Sequence, residues 1–208
     1  RRLGNQSTDP LTVTNLSFVD MDLDALELGG KISWNPPTNA AAVRNYSVCL
    51  AEDNSGTGSS QIQVIPVGTN IASLPADTAT SSFTHVMVIT QSDTVTGIAP
   101  AFADAIDASA SVTSLDFPDL DLDATELGGA AAWSEPVDAS QVTAYDVYLA
   151  QDHTGTARAQ VPGAESSQAG TNQVSIPQDT QEGSFTHLLV YTRSSLAQQT
   201  TPTAITIQ

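Results

Sequence analysis

A chain of 208 residues holds one large domain or two of about 100, and 23 acidic against six basic residues leave a net charge of −17. That field repels phosphate backbones and anionic bilayers, so nucleic acid is excluded as an expected partner. No apolar stretch approaches the ~20 residues of a membrane span, which excludes membrane insertion by a helix, and aromatics at 5% favour small cores of β-branched side chains over a large catalytic core.

The first ten residues carry Arg1 and Arg2, two of the six basic residues, followed by Leu3. In so acidic a chain this segment is suited to dock on the acidic face of a neighbouring copy, so Arg1, Arg2 and Leu3 are candidate assembly residues. Beyond it, runs rich in Val, Ile, Thr and Tyr alternate with turn chemistry every 8–12 residues or so, the pattern of a β-sandwich. Strands are expected at 11–19, 28–34, 44–51, 60–65, 69–74, 83–90 and 95–106. Gly29-Gly30 is expected to supply positive φ for a tight turn, Pro36-Pro37 to end a strand, and Asn54-Ser55-Gly56 to turn the chain.

The chain then repeats itself. Residue n matches n+99 through Asp20/Asp119, Asp22/Asp121, Asp24/Asp123, Glu27/Glu126, Trp34/Trp133 and Tyr46/Tyr145. Three extra residues shift the offset to 102, and Asp77-Thr78 then matches Asp179-Thr180, and Phe83-Thr84-His85 matches Phe185-Thr186-His187. Such a period means two similar domains in tandem rather than a solenoid. The expected organisation is an amino-terminal extension (1–10), a first sandwich (11–107) and a second (108–208).

Ile32-Ser33-Trp34-Asn35-Pro36-Pro37 followed by Tyr46-Ser47-Val48 resembles the tryptophan strand, proline break and Tyr-x-Val strand of fibronectin type III domains. Ala132-Trp133-Ser134-Glu135-Pro136 and Tyr145-Asp146-Val147 repeat it. The Asp-rich stretch and the Leu-Gly-Gly motif lie outside that pattern and leave a divergent immunoglobulin-like branch open. They resemble repeats in large extracellular proteins of algae and other microbial eukaryotes, and the duplicated chain is similar to subunits of extracellular filaments. The resemblance implies an all-β chain of two tandem immunoglobulin-like (fibronectin type III-like) β-sandwich domains, located outside the cell or on its surface.

Asp20-x-Asp22-x-Asp24 and Asp119-x-Asp121-x-Asp123 alternate with apolar residues, so on a strand the carboxylates would share one face, about 7 Å apart. With Glu27 and Glu126 at the following turns, these eight residues are the candidate ligands of calcium, a cation that takes oxygen donors. The competing expectation is a solvated acidic edge that deters strand pairing. No cofactor is required. His85 and His187 are expected to be hydrogen-bonded structural residues, and Cys49 a small packed side chain. No Ser/His/Asp set, phosphate loop or ligand-spaced cysteine pair is present, so no catalytic residue is named and an enzyme is not expected. Asn5, Asn15 and Asn45 head N-glycosylation sequons and suggest glycans. The expected function is a structural subunit of an extracellular filament or surface appendage, self-associating head-to-tail into a homopolymer through sandwich edges and the amino-terminal segment. The alternative is a calcium-dependent adhesion or ligand-binding module of a larger multi-repeat surface protein.

Overall fold

A computed structural model describes residues 9–207. The chain divides into two compact units: one holds the described residues up to Asp20 together with Leu26–Asp107, the other Met21–Ala25 and Ala108–Gln208. The expected placements at Arg1, Arg2, Leu3 and Asn5 lie outside the described residues.

Among its described residues unit 1 has seven strands: β1 (Thr14–Asp20), β2 (Glu27–Asn35), β3 (Asn45–Ala51), β4 (Ser60–Pro66), β5 (Ile71–Ala79), β6 (His85–Gln91) and β7 (Ala101–Asp104). They form antiparallel sheets in the orders β1-β2-β5 and β4-β3-β6-β7. Period-2 alternation builds the core between them: Leu28, Ile32 and Trp34 of β2 and Ala72 and Leu74 of β5 meet Tyr46, Val48 and Leu50 of β3 and Val86 and Val88 of β6. Each large aliphatic side chain so buried contributes about 1.5–3 kcal/mol. Trp34 packs edge-on against Tyr46, with ring centroids 5.3 Å apart. Pro36 and Pro37 follow β2 directly, as proline requires where a ladder must stop. The turn after β3 is held by Asp53, whose Oδ1 accepts the Ser55 and Thr57 N–H groups at 2.8 and 3.2 Å.

Unit 2 repeats the plan with β8 (Thr113–Asp116), β9 (Glu126–Ser134), β10 (Ala144–Ala150), β11 (Ala159–Gln160), β12 (Ser166–Gln168), β13 (Gln173–Gln181), β14 (His187–Arg193) and β15 (Thr203–Thr206). Its sheets run β13-β9-β8 and β11-β10-β14-β15, with β12 also on β10. The three inserted residues explain the extra strand. Where β4 pairs with β3 along its length, the equivalent stretch splits into β11 and β12, and Val161 and Ala164 between them turn into the core. Trp133 and Tyr145 reproduce the edge-on pair at 5.4 Å.

The glycine pair does not make a tight turn. Gly29-Gly30 lies inside β2 and Gly128-Gly129 inside β9, with φ of +146° at Gly30 and +143° at Gly129. A Cβ on Gly129 would stand 2.6 Å from the Pro118 carbonyl oxygen, and Leu120 N–H donates to Gly128 O at 2.7 Å. In unit 2 the glycine pair lets the acidic segment lie directly on the strand backbone. Opposite them, β5 and β13 bulge: register slips between Leu28↔Thr78 and Gly30↔Leu74, and between Ile176↔Gly129 and Thr180↔Leu127. Pro75 and Pro177, which have no N–H to give a ladder, sit in those bulges.

Candidate functional site

The acidic repeat is not a strand ladder in either copy. β1 ends at Asp20 and β8 at Asp116, so Asp22, Asp24, Asp119, Asp121 and Asp123 stand in irregular backbone, and the expectation of carboxylates spaced along one strand face is corrected. The reason is local. Asp side chains bond the N–H two residues on and thereby compete with sheet pairing: Asp24 N–H donates to Asp22 Oδ1, Asp121 N–H to Asp119 Oδ1 and Asp123 N–H to Asp121 Oδ1, each at 3.1 Å. Asp20 and Asp119 reach across to β2 and β9, accepting from Gly29 and Gly128 N–H at 2.9 Å in both copies. Leu26 and Thr125 close the segments at φ +69° and +73°. Asp20 is only 5% exposed, which also corrects the picture of it as part of a solvated acidic edge.

In unit 2 the structure gathers three carboxylates. Oxygens of Asp121, Glu126 and Asp179 all lie within 4.8 Å of one another, a spacing that one calcium ion bonded at about 2.3–2.6 Å can bridge. Asp119 and Asp123, expected beside them, are outside this group. Asp179 N–H donates to Asp121 Oδ2 at 2.9 Å and Gln181 Nε2 to Glu126 Oε1 at 2.6 Å. The Asp121 carboxyl is held below the ordinary range, first by the Asp179 N–H and then by the Asp123 N–H. Sequence reasoning missed Asp179. It stands at φ +59° in the β13 bulge, and its only signal was that Asp77, also at φ +59°, occupies the matching place in the first repeat. Of the first-repeat candidates, Asp20 and Glu27 belong to unit 1, while Asp22 and Asp24 lie in the segment counted with unit 2. The Asp24 oxygens accept Thr200 and Thr201 N–H at 2.6 and 2.9 Å.

The other polar residues shared by both repeats hold the fold. Thr84 Oγ1 gives its one proton to Glu52 O at 2.6 Å and therefore accepts from His85 Nδ1 at 2.7 Å; Thr186, Gln151 O and His187 repeat the arrangement with the same distances. Asp53 and Asp152 are held well below the usual carboxylate range, first by the hydroxyls of their turns and then by the backbone N–H groups. Cys49 is buried on the outer face of β3 beside Ala51 and Met87. Among the sequons, Asn15 is exposed on β1, whereas Asn45 is half-buried on β3 and its side-chain amide donates to Gln91 Oε1 at 3.0 Å.

No family model matches the chain, and no curated protein matches it. Among solved structures it is similar to the crystal structure of chicken CNTN1 FN1-FN3 domains, at 14% identity and a TM-score of 0.41, over 94% of this chain and 63% of that one. The chain thus spans less than two thirds of that structure. Strand order within each unit differs from that of a constant-type immunoglobulin domain: the fourth strand pairs with the third rather than joining the three-stranded sheet. Each unit is an immunoglobulin-like (fibronectin type III-like) β-sandwich.

Proposed function

We propose that the chain is a structural subunit of an extracellular filament or surface appendage, built by self-association of fibronectin type III-like modules. The observation that supports this most is where the duplicated polar chemistry goes. Asp20/Asp119, Asp53/Asp152 and Thr84-His85/Thr186-His187 recur with near-identical geometry, and in every case they fasten backbone to backbone or side chain to turn. Duplication has preserved a scaffold. Apolar side chains meanwhile remain on the surface: Val64 on the edge strand β4, and Leu122 and Val137 in unit 2. Edges of this kind accept a further strand, and a contact between unlike faces of identical subunits propagates unless its rotation closes a ring.

A second reading, a calcium-dependent adhesion module, draws on the grouping of Asp121, Glu126 and Asp179. Sedimentation velocity at rising protein concentration, with calcium and with chelator, separates the two. The filament reading predicts species that grow with concentration in either buffer. Growth only with calcium, together with an unfolding midpoint that falls on chelation and no longer does so in Asp179→Asn, would replace it with the adhesion module.

A further inference from the structure

Unit 2 includes Met21–Ala25 as a separate segment, and it holds that segment by a defined set of contacts. Leu23, 3% exposed, is part of the unit 2 core. Its carbonyl accepts from Ala110 N–H at 3.0 Å and from Gln199 Nε2 at 2.6 Å. Ser194 Oγ donates to Met21 O at 2.6 Å, and Thr200 and Thr201 N–H clamp the Asp24 carboxylate.

The segment and part of the set that holds it have counterparts elsewhere in the chain. The segment's own repeat is Leu120–Ala124, with Leu120 for Met21, Leu122 for Leu23 and Asp123 for Asp24. Leu122 is 98% exposed and Leu120 67%. The backbone is nevertheless already set as in the held copy, with the same 3.1 Å Asx bond, the same 2.9 Å anchor to the glycine strand, and φ of +73° against +69° at the residue that follows. An apolar side chain presented on a preformed loop loses little entropy on docking.

The receiving end recurs in unit 1. Ser92 stands for Ser194, and both hydroxyls accept the N–H groups two and three residues on, from Thr94 and Val95 in one and Leu196 and Ala197 in the other. Ile98 and Ala99 stand for Thr200 and Thr201, and their N–H groups donate to no described residue. Val95 beside them is 41% exposed. Leu11 replaces Ala110 and has its N–H held by Asp9, and Gly97 replaces Gln199, so the shared contacts are the serine hydroxyl and the two backbone N–H groups that clamp an aspartate.

We propose that the Leu120–Ala124 loop of one copy docks on the Ser92–Ala99 end of unit 1 of a second copy, with Leu122 as the apolar anchor and Asp123 accepting from Ile98 and Ala99 N–H. This rests on the filament reading and names its contact. Donor and acceptor are different surfaces of one chain, so the contact propagates unless its rotation closes a ring. Between chains of net charge −17 it needs about 0.15 M salt to screen repulsion.

Leu122→Asp removes the donor and keeps the acceptor, and Val95→Asp does the reverse. In sedimentation velocity the wild type is expected to polymerise, each variant alone to remain a monomer with the wild-type unfolding midpoint, and an equimolar mixture of the two to form a dimer of one copy of each. Leu122→Asp polymerising like the wild type, or a mixture that stays monomeric, overturns the proposal. If assembly is lost only on removing residues 1–10, the filament reading stands and this contact does not. A wild-type chain that stays monomeric at every concentration overturns both.

Discussion

Tyr46 and Tyr145 fill the same place in the two cores, each fully buried against its tryptophan, yet their hydroxyls meet different neighbours. Tyr145 donates to Glu135 Oε1 at 3.4 Å, while the first repeat has Pro36 where the second has Glu135. Burial, then the Glu135 charge and the hydrogen bond to it, push the Tyr145 phenol up to about 12; burial alone raises that of Tyr46. A phenol raised above its unfolded value of 10 contributes stability that is whole below about pH 10 and is lost as pH rises towards the folded value. Glu135→Gln is therefore expected to bring the Tyr145 titration, followed by tyrosinate absorbance, down while leaving it above 10. A titration unmoved by the substitution would assign the whole shift to burial. Cys49 differs in the same way: Tyr148 stands at its place in unit 2, where the Arg158 guanidinium lies 4.7 Å from the Tyr148 ring and 4.4 Å from that of Tyr191. On β3 and β10 the inner-facing Tyr46, Val48 and Leu50 recur as Tyr145, Val147 and Leu149, while the outer-facing Ser47 and Cys49 become Asp146 and Tyr148.

At the scale of elements, the strands were legible because period-2 alternation reports directly on a two-layer core, and each of the seven stretches expected in the first repeat overlaps one. The ends were less so. The first strand begins at Thr14 rather than residue 11, and the last shrinks to Ala101–Asp104, because buried residues such as Leu11 and Val13 can pack without pairing. The acidic repeat was misread for a related reason: a chain of Asx turns has the same two-residue period as a strand, and only tertiary contact separates them. Gly-Gly likewise has the composition of a turn, and its role as a surface on which another segment rests is invisible in one dimension. Gly129→Ala tests that role. A side chain at φ +143°, directed at the Pro118 oxygen, is expected to destabilise unit 2 by about 1–3 kcal/mol. Alanine at Gly170, where nothing lies within 4 Å of an added Cβ, controls for positive φ alone, and equal losses in chemical denaturation would contradict the packing account.

At the scale of the molecule, the duplication carried the most information and also marked its own limit. It showed two sandwiches and located the splitting of one edge strand at a three-residue insertion. Asp179 was visible as a repeat of Asp77, but only the bulge of β13 brings it to Asp121 and Glu126. Matched polar residues such as Asp53/Asp152 and Thr84/Thr186 brace the scaffold, and the copies differ in how much of the same acidic loop is covered. The proposed self-association draws on that difference. Electron microscopy of the full chain beside one lacking residues 1–10 and beside Leu122→Asp tests that claim most directly. Regular fibres from the full chain are predicted, and dispersed particles from all three samples at every concentration would contradict it.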